Sequence, residues 1–161
     1  MRVYLYHAIG MLACVALQNA WPPWLAIGGQ GPDIVLALTL ATGLARGPQE
    51  GFITGFIGAF LLGASQNLPF APLFVKLMAL GFVAGLLRGR LVSDRAAVAI
   101  LVSLIAVLFV RLVSLLVAPP ATPGIWLRET LIQAPYSAVV AGPLFALVNL
   151  LNRQYPLRID Q

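Results

Sequence analysis

Six apolar runs, separated by short stretches in which glycine, proline and arginine recur, leave this chain almost no way to fold in water. They lie at about 3–20, 33–46, 50–66, 69–87, 96–118 and 128–151. A helix needs about 20 apolar residues to cross a bilayer. Six such helices would take about 120 residues and leave about 41 for two tails and five loops, in a chain of 161. Charged residues make up 9% of the sequence and mean hydropathy is +0.93, against roughly 25% charged in a soluble domain. The whole chain reads as one transmembrane domain (1–161), without room for a soluble catalytic domain, a nucleotide-binding cassette or a zinc module.

The runs read as helices. All are longer than a barrel strand and none alternates with a strict period of two. Met1-Arg2 and the apolar stretch after it have the look of a secretory leader. Gln18-Asn19-Ala20, however, lacks a small residue at the outer cleavage position, so the segment is expected to stay as the first span. Trp21-Pro22-Pro23-Trp24 then marks a membrane surface. Gly31-Pro32-Asp33 is a helix start, with proline and an acid suited to the first turn. The run it opens ends at Arg46-Gly47-Pro48 and is short for a span, which calls for a thin membrane or a sheath of protein. Pro135 and Pro143 interrupt the sixth run and are expected to bend it.

The net charge is +5 and the pI about 10.2. In a soluble protein that would suggest nucleic acid. Here the basic residues sit at the ends of apolar runs, the pattern of membrane orientation, and no nucleic-acid partner is expected. With the N-terminus in the cytoplasm, Arg2, Arg46, Arg88, Arg90, Arg95, Arg153 and Arg158 fall inside and Arg128 outside, while Lys76 and Arg111 lie within spans. This bias predicts an all-α integral membrane protein, a six-helix transmembrane bundle with both termini inside.

Cys14 is the only cysteine and His7 the only histidine, so an internal disulfide and a Cys/His metal site are excluded. The sequence holds no Ser/His/Asp set, no H-E-x-x-H and no Walker loop. Neither an enzymatic activity nor a cofactor nor a metal is expected. All five acids lie near helix ends, which argues against ion coupling. His7 is expected as an interfacial side chain near the inner surface.

Polar residues collect near the outer side: Asp33 at the start of the second helix, Gln66 and Asn67 at the end of the third, Lys76 in the fourth, Arg111 in the fifth, and Glu129 with Gln133 one turn deeper on the same face of the sixth. Lys76 and Arg111 lie about two turns, or about 10 Å, from their helix ends. Their heads either snorkel to the headgroups, pair with acids across the bundle, or line a pocket for an anionic ligand. For Arg111, Glu129 is the first candidate partner and Asp33 the second. Two ladders of small residues run along neighbouring helices: Gly47, Gly51, Gly55, Ala59 and Gly63 on the third, Gly81, Gly85 and Gly89 on the fourth. Such ridges let helix backbones approach closely in lipid. Gly51, Gly55, Gly81 and Gly85 are candidates for packing inside the chain or for a face that docks a partner helix.

The stretches Pro32-Asp33-Ile34-Val35-Leu36-Ala37-Leu38, Ala45-Arg46-Gly47-Pro48, Gly51-Phe52-Ile53-Thr54-Gly55-Phe56-Ile57-Gly58 and Leu61-Leu62-Gly63-Ala64-Ser65-Gln66-Asn67 resemble the rod shape-determining protein MreD family. So does Leu80-Gly81-Phe82-Val83-Ala84-Gly85-Leu86-Leu87-Arg88-Gly89-Arg90. The likeness covers roughly residues 32 to 91; the last two helices match in pattern only. The family often carries Gln-Asp where this chain has Gln66-Asn67, which removes a negative charge. The resemblance implies a multi-pass protein of the bacterial inner membrane and a non-enzymatic scaffold of the elongation complex. It implies binding to MreC, a single-span protein, and through it links to MreB, RodA and a class B penicillin-binding transpeptidase in lateral peptidoglycan synthesis and cell-shape maintenance. It also implies a fold like that of the S-components of energy-coupling-factor transporters. A vitamin-binding S-component is therefore the alternative reading. A small channel is disfavoured, because no helix carries a repeated polar stripe.

Overall fold

The computed structural model describes residues 2–88, 96–117 and 119–154. Six helices follow one another: α1 (Arg2–Asn19), α2 (Ile34–Arg46), α3 (Pro48–Gln66), α4 (Phe70–Leu87), α5 (Ala96–Val117) and α6 (Pro123–Gln154). A turn of 3-10 helix at Pro23–Leu25 and an isolated bridge between Ile27 and Gln30 occupy the α1–α2 connection, and there is no β-strand among the described residues. The segments Phe70–Leu87, Ala96–Val117 and Pro123–Leu151 are each long and apolar enough to cross a membrane.

The shortest helix is the hub. Every residue of α2 from Ile34 to Ala45 is buried. It packs chiefly against α3, α4 and α6 and to a lesser extent against α5, while α1 rests on α2 and α3. With 13 residues, α2 is about 20 Å long, well short of a hydrocarbon core of about 30 Å. Its neighbours enclose it on all sides, so its apolar surface is spent inside the bundle. The hydroxyls of Thr39 and Thr42 donate back to the Val35 and Leu38 carbonyls at 2.8 and 2.9 Å, so their burial leaves no donor unpaired.

A single residue joins α2 to α3. Gly47 has φ +111°, a conformation that an L side chain rarely adopts. Its N–H donates to the Gly43 carbonyl at 2.8 Å and its own carbonyl accepts from the Gly51 N–H at 3.0 Å, so it ends one helix and begins the next. Pro48 follows at the first helical position, where its missing N–H costs nothing. The resulting sharp hairpin brings the small-residue stripe of α3 against α2 and α4. A Cβ at Gly81 would run into the Gly51 carbonyl oxygen, and one at Gly51 into the Gly81 carbonyl oxygen and, at 2.8 Å, the Gly43 Cα. At Gly55 it would stand 2.7 Å from the Leu77 carbonyl carbon, and at Gly85 2.5 Å from that of Gly47. The four glycines are thus consumed by backbone contacts within the chain, and they offer no free stripe to a partner helix.

The sixth helix differs from expectation in its start and in its continuity. The sixth helix begins at Pro123 rather than near 128, because proline suits the first turn and the Thr122 carbonyl already accepts from the Trp126 N–H at 3.2 Å. Pro135 and Pro143 do not interrupt it; they sit inside one continuous helical run to Gln154. Of the helix pairs that touch, α4 and α5 are the loosest: they scarcely meet along their length.

Candidate functional site

Where α4 and α5 part, a cleft of about 230 Å³ opens over the N-terminus of α2. Asp33 positions it. As N-cap of α2, its Oδ1 accepts from the Leu36 N–H at 3.1 Å, and its own N–H donates to the Ser137 hydroxyl of α6 at 2.9 Å. Gln18 of α1 serves the next free donor, its Oε1 accepting from the Val35 N–H at 3.0 Å. Capping in this way holds three helices to one point and leaves Asp33 Oδ2 facing the cleft. There it accepts from Lys76 Nζ of α4 at 2.9 Å.

Arg111 closes the far wall. Its Nε donates to Gln133 Oε1 of α6 at 3.0 Å, and Nη2 donates to the same oxygen. The Glu129 carboxylate lies at the rim, Oε2 standing 4.0 Å from Arg111 Nη1, with 34% of its side chain exposed. The guanidinium is therefore held chiefly by a neutral amide. Asp33, the second expected partner of Arg111, is engaged by Lys76 instead. The expected outer cluster divides: Asp33, Lys76, Arg111 and Gln133 line the cleft, and Glu129 borders it. Gln66 and Asn67 lie elsewhere, on the exposed end of α3. Gln66 Nε2 donates to Asn19 Oδ1 at 2.7 Å, and Asn67 closes α3 in the left-handed conformation at φ 56°.

A second polar group sits at the opposite end of the bundle. His7, expected at the interface, is buried instead. Arg46 Nη1 lies 2.9 Å from its Nε2, and Glu50 Oε2 lies 3.2 Å from its Nδ1. Because arginine only donates, Nε2 accepts and the ring proton belongs on Nδ1, towards Glu50. Arg46 in the last turn of α2 and Glu50 in the first turn of α3 each suit the dipole of their own helix. The signal that could have found this trio is the four-residue spacing of Arg46 and Glu50 across Gly47, which puts opposite charges on both sides of one sharp turn.

On the outer face of α3 and α4 an apolar groove of about 840 Å³ runs between Phe52, Ile53, Phe74, Met78 and Phe82. Cys14 is free and buried. Among the described residues no group of three or more His, Cys, Asp or Glu side chains could hold a metal ion. No family model, curated protein or solved structure matches the chain.

Proposed function

We propose that this chain is a non-enzymatic scaffold of a bacterial inner membrane, crossing it six times with both termini in the cytoplasm. In this reading it binds a single-span MreC-like protein and supports lateral peptidoglycan synthesis within the elongation complex. One observation carries the reading. The residues that carry the resemblance to the MreD family include close-packed joints of this bundle: Pro32–Leu38 forms the capped start of α2, Arg46-Gly47-Pro48 its one-residue link to α3, and Gly51, Gly55, Gly81 and Gly85 stand in close contact with backbone across α2, α3 and α4. The orientation rests on the arginine bias of the loops and tails. Since the glycines are spent internally, the partner's helix lies on one of the exposed apolar faces of α3 to α6.

Extraction of the tagged chain from its own membrane in mild detergent, followed by identification of what accompanies it, tests the proposal. A single-span protein with a large domain outside the membrane is the expected companion. Recovery with a pair of ATPase subunits and a coupling membrane protein would put the chain among vitamin-transporter subunits and end the scaffold reading.

A further inference from the structure

The geometry points to the cleft between α4 and α5 as a binding site for a phosphate-bearing anion, with Arg111 as its principal ligand and Lys76 as the second. This site does not depend on the scaffold reading. Three observations carry it. First, the two cations that face the cleft are unequally matched. Lys76 has a carboxylate at 2.9 Å, whereas Arg111 donates to a neutral amide and has its nearest carboxylate at 4.0 Å. Arg111 thus brings an incompletely compensated charge to an apolar helix, a costly arrangement that usually marks function. Its guanidinium has five donors, and the Gln133 oxygen takes up two of them. The remainder form the planar fork that suits phosphate.

Second, both side chains line the cleft and are part-exposed, Lys76 keeping 27% and Arg111 23% of its side-chain surface. Third, the size and the opening select the occupant. At about 230 Å³ the cleft is smaller than the roughly 300–1,000 Å³ of sites that enclose a drug-sized molecule. It accommodates a headgroup whose remainder lies outside. Leu36 and Val107 give it an apolar inner wall, and α4 and α5 scarcely touch, so the cleft lies on the open seam between them. An acyl chain can lie along that seam while its phosphate meets Arg111. The same phosphate chemistry is offered by an anionic lipid and by free phosphate, and the test separates the two.

Thermal unfolding of the full chain in a neutral detergent would be followed with dihexanoyl phosphatidic acid, dihexanoyl phosphatidylcholine and inorganic phosphate. Phosphatidic acid at ten times its Kd should raise Tm by about 3–6 °C. The same rise with inorganic phosphate assigns the site to the free anion, and a rise with phosphatidic acid alone assigns it to lipid. Arg111→Gln should weaken binding at least about tenfold, as expected for the loss of a charged hydrogen-bonding partner. Glu129→Gln, which removes the competing carboxylate at the rim, should tighten it about threefold, and keeps the question decidable if Arg111→Gln fails to fold. An equal rise with phosphatidylcholine, no rise with either phosphate probe, undiminished binding in Arg111→Gln, or unchanged or weaker binding in Glu129→Gln would each overturn the site.

Discussion

At Asp33 one carboxylate serves two structures, since Oδ1 caps α2 through the Leu36 N–H and Oδ2 accepts from Lys76. Asparagine keeps an acceptor for the cap and loses the charge, whereas alanine loses both. Asp33→Ala should therefore be less stable than Asp33→Asn by about 1 kcal/mol, read as a lower unfolding midpoint in detergent; equal losses would mean the cap contributes nothing. Around Arg111 the structure ranks the partners. Gln133→Leu removes a hydrogen bond to a charged group and should cost about 1.5–3 kcal/mol, while Glu129→Gln, at a half-exposed rim, should cost less than about 1 kcal/mol. The double variant Arg111→Leu/Gln133→Leu should lose less than the two single losses added together. Strict additivity would show that the two side chains do not interact. The sequence announced that Arg111 needed a partner, because its depth made free solvation difficult. Charge alone points to Glu129 and then Asp33, and passes over the neutral Gln133 one turn deeper on the same face as Glu129; the register of α5 on α6 brings Gln133 to the guanidinium. His7 was misplaced for a related reason: nothing local to α1 reveals that Arg46 and Glu50 meet it from the α2–α3 turn.

Among the elements, α2 shows what apolar patterning conveys and what it omits. Its length and composition flagged a helix needing shelter, and its burial on all sides supplies that shelter. Which neighbours shelter it was written in the glycines, whose spacing makes flat ridges on α3 and α4. Spacing alone left open whether those ridges face each other or a partner; the backbone contacts between Gly51 and Gly81 close that question. A methyl group at either position meets a carbonyl rather than a yielding side chain, so Gly81→Ala should cost about 3 kcal/mol, the upper part of the overpacking range. Gly10→Ala on α1, with nothing within 4 Å of the new Cβ, should be neutral or stabilising by up to about 1 kcal/mol. Comparable losses at the two positions would mean that α3 and α4 can slide apart freely and that the close contact is not structural. The helix of α6 starts five residues before the apolar run at about 128–151, because Thr122-Pro123, a capping residue followed by proline, is itself a helix-start signal.

For the whole molecule, the arginine distribution predicts an orientation, with both termini in the cytoplasm, on which the bundle's geometry is silent. On a Cys14→Ala background, cysteines at exposed positions 24 and 121 should react with an impermeant reagent in intact cells, and one at exposed position 49 only after permeabilisation; the reverse pattern would invert the protein and move the Arg111 cleft to the cytoplasmic side. The scaffold reading reaches further, to what the cell loses without this protein. Its most direct test is cell width during depletion in the source bacterium. A scaffold of lateral wall synthesis predicts progressive widening and rounding, reversed by the wild-type chain and not by a variant whose α3–α4 contact is broken at Gly81. Cells that keep their width through depletion, with the protein demonstrably gone, would contradict the account.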